Sequence, residues 1–482
     1  MNNLPPALRP IYTTAKPNEN ILLYEGSFKI SFHINQHPVQ TQGNGTLEYV
    51  WFPSPCIKFE FFNQDRDIDT ISYAHANNLP TSLALSDIKV SVNVSISSSS
   101  SGGKDGNFVS GRIKEAVVQG EDQDLAYVLF HVVNFHDFIG RPPSVLEQGT
   151  NRKHIERIVF EAEEWKITLD QLETTTKNVK SLNSQGGFAI THVGKLEKLN
   201  GQSFSGEEAT DFLKIVADFL SFARGFRVPL ILLVGYDAEG NEIWQHWNSS
   251  VGHSWKYVDS WFPMNEAHIL ADVFPGFLSW WRDWEKSTKV SLYSYWESNF
   301  APTLEVKITL TQVALELIAY EQGLTEGNAS EKLRQLLKKF EIPINLPFDQ
   351  PSRKSVDPLA EAFRPQSPPL VENLILFKEK LKQEFEQKLE QETKEKEKKK
   401  IEENLKNLDA PYVFTKVRNN IVHPKKNIED LETYLYDVSD LGLWYLELVL
   451  LAIFDYQGCY RNRLLKYQQD GDKEPVPWSN SN

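Results

Sequence analysis

The chain has 482 residues, 40% of them hydrophobic and 12% aromatic, and a formal net charge of −14. That length accommodates about three domains with cores of their own, and the composition excludes a disordered scaffold. An acidic chain exerts no overall attraction on nucleic acid, so any such binding falls to local basic patches. Cys56 and Cys459 are too few for a disulfide framework or a zinc site. The start, Met1-Asn2-Asn3-Leu4, lacks the charged and apolar blocks of a secretory signal. The longest apolar stretches, 228–234 and 448–454, fall short of the ~20 residues that cross a bilayer. The expectation is a cytoplasmic protein without a membrane segment.

Residues 1–150 read as a β-rich domain, sandwich- or barrel-like. Stretches 21–32, 45–51, 57–62, 88–96 and 126–133 are β-branched and aromatic, many with period-two alternation. Leu47, Tyr49 and Trp51 alternate with Glu48 and Val50, and Val90, Val92, Val94 and Ile96 with Ser91, Asn93 and Ser95. The serines 97–101, followed by Gly102-Gly103, read as a flexible loop tip. They lack the Gly-Lys-Ser/Thr ending of a nucleotide-binding loop.

Residues 151–302 read as a second β-rich segment with a helical, Trp-rich connector. Strands are expected at 155–160, 165–169 and 187–193. A helix opens at Ser205 with Phe212, Leu213, Val216, Phe219 and Leu220 on one face, and a hairpin joins 228–236 to 242–247. Trp255, Trp261, Trp280, Trp281, Trp284 and Trp296 could stack bases. Their apolar neighbours at helical spacing, such as Val273, Phe274 and Phe277, favour packing instead.

From 303 to 466 the pattern is helical. Val306, Ile308, Leu310, Val313, Leu315, Leu317 and Ile318 open it, and Asn328 caps a helix near 331–340. Prolines between 343 and 369 exclude a continuous helix there. The run 391–400 mixes Lys394, Lys396 and Lys398 with Glu392, Glu395 and Glu397, a solvated helical extension. A short helix after Pro411, a long one over 428–454 and a polar tail at 467–482 complete the chain. The fold class is therefore α+β and multidomain, a β-rich N-terminal region followed by an all-α bundle.

Chemistry concentrates at Lys416-Val417-Arg418-Asn419-Asn420-Ile421-Val422-His423-Pro424. When RNA is cut without a metal, the 2′-hydroxyl attacks phosphorus. One group takes its proton, another returns a proton to the leaving oxygen, and charge builds on the phosphoryl oxygens. Histidine suits the proton transfers, and the always-charged, forked guanidinium of arginine suits the phosphoryl group. Residues five apart lie about 140° apart around a helix, so a continuous helix would separate Arg418 from His423. His423 precedes Pro424, which pushes it out of the α region. The helix should stop at about Val422, leaving His423 to turn back towards Arg418 with Asn419 on the near side. Ile421 and Val422 are expected to face inward. Lys416, Lys425 and Lys426 make a basic island suited to RNA, with no Asp or Glu between 410 and 428. No cluster of metal ligands is visible, and no cofactor is expected.

At these residues the chain resembles the HEPN superfamily, whose signature is Arg, a polar residue, and His four to six positions after the Arg. Ala314-Leu315-Glu316-Leu317, Tyr445-Leu446-Glu447-Leu448 and the stretch from Tyr456 to Arg463 are similar to the Apea-like group. The resemblance covers roughly 303–466. It implies a helical bundle that dimerises, placing two Arg/His motifs across one cleft. It also implies metal-independent endoribonuclease activity leaving a 2′,3′-cyclic phosphate, with Arg418, Asn419 and His423 catalytic. The implied role is antiphage defence by abortive infection, with host tRNA or other RNA as substrate and the N-terminal region sensing a phage-derived trigger. The alternative is a non-catalytic module that binds RNA or protein.

Overall fold

The computed structural model describes residues 4–63, 68–103, 106–140, 143–148, 151–250, 252–283, 286–348, 371–423, 432–465 and 473–479. Two compact units emerge. One comprises residues 1–220 and 227–257, the other 221–226 and 258–482. The chain is thus α+β, with a β-rich N-terminal region and a helical C-terminal region. No helix among the described residues is long and apolar enough to cross a membrane.

In the N-terminal unit, β1 (Ile21–Ile34), β2 (His37–Val50), β3 (Cys56–Asn63), β4 (Thr81–Leu85), β5 (Val90–Gly103) and β6 (Gly106–Ile113) close into a barrel of order β1-β2-β3-β6-β5-β4. The period-two alternation produces this barrel by sending every second side chain inward. Phe28, Ile30, Leu47, Tyr49, Phe59 and Phe61 are all fully buried. Helix α1 (Ile68–Ala76) packs on β5. The serine run is strand, not a loop tip. Ser98, Ser99 and Ser100 pair with Ser110, Val109 and Phe108 of β6, and Ser97 is the extra residue of a bulge. Hydroxyl pairs take the place of apolar ones along this run. Ser98 Oγ lies 2.8 Å from Ser110 Oγ, and Ser99 Oγ 3.0 Å from Ser72 Oγ.

The second sheet has seven strands in the order β11-β12-β13-β8-β14-β15-β7. They are β7 (Val117–Gly120), β8 (Tyr127–Val133), β11 (Arg157–Ala162), β12 (Trp165–Gln171), β13 (Ile190–Lys198), β14 (Leu230–Tyr236) and β15 (Glu242–Trp247). A separate hairpin joins β9 (Ser144–Gln148) to β10 (Asn151–Ile155). Helix α2 (Thr175–Gln185) packs on β13. Helix α3 (Gly206–Arg224) lays Phe212 against Trp165 and Phe219 against Phe160. The boundary expected at 150 does not exist in the structure, because β8 pairs with both β13 and β14 across it.

Residues 4–20 run as a strap held by buried polar groups. Arg157 forks onto Asp170, with Nη2 at 2.7 Å from Oδ2, and also reaches the Pro6 carbonyl at 2.9 Å. Asp170 in turn accepts the Leu8 N–H at 2.7 Å. The Tyr12 N–H donates to His131 Nε2 at 3.1 Å, so the ring proton sits on Nδ1 and donates to the Leu232 carbonyl at 3.0 Å.

The C-terminal unit contains α4 (Ile269–Asp283), α5 (Lys286–Phe300), α6 (Leu304–Glu321), α7 (Ala329–Lys339), α8 (Glu372–Gln391), α9 (Glu395–Lys406), α10 (Ala410–Val422) and α11 (Glu432–Ile453), and α4, α5, α6, α8 and α10 pack on α11. Helix α11 is buried on nearly all sides from Val438 to Leu451, where most of its residues are apolar. The tryptophans pack rather than stand exposed. Trp261, Trp280 and Trp296 are buried, and Trp280 meets Phe454 just after α11; Trp284 lies outside the described residues. The boundary expected at 302 is therefore displaced, since α4 and α5 belong to the helical unit. Helix α7 has the expected cap, Asn328, in a capping box with Glu331. The charged run is helical on both sides of a break at 392–394, and α9 buries none of its residues. The tail is not merely polar. β16 (Cys459–Tyr460) pairs with β17 (Glu474–Pro475), and Val476 is buried.

Burial lowers the His131 pKa from 6.5 to about 4 and that of His192 to about 3. Both bind protons more readily in the unfolded chain. Their contribution to stability is complete above pH 6.5 and is lost as pH falls from 6.5 towards 4. The N-terminal unit should lose about 3 kcal/mol from His131 alone over that window. Urea midpoints measured against pH should show this fall, and a shallower one in His131→Gln.

Candidate functional site

The motif helix α10 is fixed at its start by Asp409. This residue is extended (φ −112°, ψ −176°), and its Oδ1 accepts the Tyr412 N–H at 3.0 Å. Pro411 in the first turn gives up no needed hydrogen bond. Arg334 of α7 clamps the same carboxylate through Nε and Nη2, the latter 3.0 Å from Oδ1, and Nη2 also bonds the Asn407 carbonyl at 3.0 Å. The inward face of α10 is Ala410, Pro411, Val413, Phe414 and Val417, with Thr415 also buried. Phe414 lies where α11 carries Gly442. A Cβ there would come within 2.6 Å of the Phe414 ring and 3.1 Å of Thr311 in α6.

The helix ends at Val422. His423 is its C-terminal cap at φ −126°, ψ 72°, outside the α region as its place before proline requires. Its N–H donates to the Asn419 carbonyl at 2.9 Å. Arg418 is half-buried, while Asn419 and His423 are exposed. The Arg418 Nη1 donates to Asn419 Oδ1 at 3.1 Å, and its Nε is buried with no hydrogen-bond partner among the described residues. Asn419 thus holds the guanidinium through its side chain and His423 through its backbone. The Asn419 side-chain oxygen is engaged by the guanidinium. Lys416 is half-buried on the same helix; Pro424, Lys425 and Lys426 lie outside the described residues.

The expectation that Ile421 and Val422 face inward is corrected. Val422 is 41% exposed and Ile421 half-buried. Val422 follows Arg418 by four residues, which puts it on the solvent side, while Ile421 continues the buried stripe of Val417 at the last turn.

A second polar cluster escaped sequence reasoning. Glu447 in α11 is fully buried and accepts from Arg463 Nε at 2.8 Å and from the Tyr295 hydroxyl at 2.7 Å. Arg463 Nη2 also donates to the Asp259 carbonyl at 2.9 Å. Burial opposes the Arg463 charge, but the Glu447 carboxylate outweighs it and raises the guanidinium pKa above its usual range. Burial and the Glu447 charge likewise hold the Tyr295 phenol protonated. All three groups are sealed inside, so the cluster positions α5, α11 and the chain after 459 and takes no substrate. Glu447 and Arg463 are 16 residues apart in sequence, with nothing local to announce their pairing. For Asp409 the signal was present, an Asp two residues before a Pro at a helix start. Among the described residues, no three His, Cys, Asp or Glu side chains are grouped to hold a metal ion.

A β-rich region and a helical region with an Arg/His motif at a helix end define an α+β chain of two units, and part of each unit matches a family model. Residues 120–258 match the model described as the YopA central domain, and 371–473, which include Arg418 and His423, match the YopA C-terminal domain. The chain is similar to the SPbeta prophage-derived uncharacterized protein YopA of Bacillus subtilis (strain 168). The two are 28% identical over 393 residues, covering 78% of this chain and 77% of that protein. No solved structure matches.

Asp409→Ala removes a helix cap and leaves Arg334 unpaired in a largely buried position. The expected loss is about 3 kcal/mol or more in the C-terminal unit, the cap supplying about 1 of these. Asp409→Asn keeps the capping oxygen and should lose less. Thermal unfolding of the two variants side by side reads the difference.

Proposed function

We propose that the chain is a metal-independent endoribonuclease of the HEPN type, working as a homodimer with one Arg418/His423 motif from each copy. The observation that carries this reading is the motif helix. It stops at Val422 and releases His423 from helical geometry within reach of solvent, one turn beyond a guanidinium already steadied by Asn419. In the proposed reaction the RNA 2′-oxygen bonds to phosphorus and the bond to the 5′-oxygen breaks. One His423 takes the 2′-hydroxyl proton, and the His423 of the second copy gives a proton to the departing oxygen. Arg418 bears the charge that builds on the phosphoryl oxygens. Lys416, Lys425 and Lys426 draw in the phosphate backbone. Asn419 keeps the guanidinium in place.

The dimer follows from the proposed reaction, which uses two proton-transferring groups where each chain carries one Arg418/His423 motif. The prophage origin in the relative's name accords with a role in conflict between phages and their host. On this reading the chain works in the cytoplasm, host tRNA or other RNA is the substrate, and the β-rich unit receives a phage-derived trigger.

Purified protein incubated with total RNA and EDTA should leave 2′,3′-cyclic phosphate ends. His423→Ala and Arg418→Ala should each lower the rate at least about 100-fold. Equal cleavage by all three proteins, or a monomer in light scattering, overturns the reading. RNA retained without turnover would instead assign the helical unit to binding.

A further inference from the structure

The N-terminal unit holds a cavity of about 400 Å³, within the size range of small-molecule sites. Residues 7–10 and 13–15 of the strap line one side. Leu146 and Ile155 of the β9/β10 hairpin and residues 171–174, where β12 passes into α2, close the others. The wall is chiefly apolar, with Leu8, Pro10, Leu146, Ile155 and Leu172.

Two polar features break that wall. Thr14 lines the cavity, is 3% exposed, and has a hydroxyl with no hydrogen-bond partner. Leaving such a group unpaired is costly, and a ligand atom that bonds it removes the cost. Arg9 also lines the cavity, is exposed, and has no ion-pair partner among the described residues. The other charged lining residue, Glu173, is engaged by Lys153 at 3.1 Å. The charge available to a ligand is therefore positive. The site is also preformed, because Ala7 bonds the Val145 carbonyl at 2.9 Å while Leu8 and Tyr12 are tied to Asp170 and His131.

We propose that this cavity binds a small amphipathic organic anion. Its apolar body fills the space between Leu8, Leu146 and Leu172, a polar atom bonds the Thr14 hydroxyl, and a carboxylate, sulfonate or phosphate group meets Arg9. Every residue involved lies in the N-terminal unit, so the site stands whether or not the helical unit cuts RNA.

The test is titration of the full chain with anilinonaphthalene sulfonate, an apolar body bearing one sulfonate, followed by calorimetry and fluorescence. One saturable site per chain is expected. Arg9→Ala should weaken it about ten-fold, and Ala7→Trp, which fills the cavity, should abolish it. Thr14→Val should weaken binding while the unliganded protein melts no lower than wild type, since the orphaned hydroxyl is gone. Arg9 is exposed, so its variant decides the matter even if the filled variant fails to fold. Non-saturable uptake, or equal affinity in wild type and Arg9→Ala, overturns the proposal.

Discussion

The arrangement of the helical unit around the motif depends on one carboxylate. Asp409 accepts the Tyr412 N–H that begins α10 and is clamped by Arg334 from α7. That double role sets both the axial position and the rotation of the helix, because its buried stripe from Ala410 to Val417 then has one way to meet α11 at Gly442. Arg418 follows the stripe by one residue and therefore stands at its margin, half-buried. Proline at 424 fixes the other end. Between them the two constraints leave His423 one conformationally free step from a rigid element, the kind of placement that gives a reacting group both precision and access.

Sequence periodicity was informative where burial is one-sided. The barrel strands, the hairpin of β14 and β15, the cap at Asn328 and the stop at Val422 each follow from alternation, a side-chain oxygen or a proline, all of them local causes. It misled where the cause was a partner distant in sequence. The serines of β5 have the composition of a loop and become strand because β6 supplies the register. The tail reads as solvated and folds because Tyr460 and Glu474 pair through the β16/β17 ladder. At the candidate site, the helix end was legible and the fate of Asn419 was not, since whether its amide faces an imidazole or a guanidinium depends on rotamers that no spacing encodes.

The N-terminal unit uses buried polarity differently from the helical one. Glu447, Arg463 and Tyr295 form a closed cluster that joins distant parts of the chain. Arg157, Asp170 and His131 instead hold backbone, catching the N–H and carbonyl groups of a strap that has no strand partner over most of its length. An irregular segment laid over a sheet carries donors and acceptors that must be satisfied. Charged and imidazole groups inside the sheet supply the partners, and the strap in consequence stands off the surface far enough to roof a cavity.

The two sheets of that unit also differ in topology. A closed barrel has no outer strand, whereas the seven-stranded sheet ends at β7 and β11. β7 is four residues long, too short to template much. β11 is six residues, and its first residue is shielded by the backbone at Gly140, where an added Cβ would meet the Arg157 carbonyl at 2.0 Å. Further along β11, Ile158, Phe160 and Ala162 are buried as well. The close approach at Gly140 admits no side chain, so a larger residue at 140 would lift that backbone off the start of β11 and expose the end of the strand it shields.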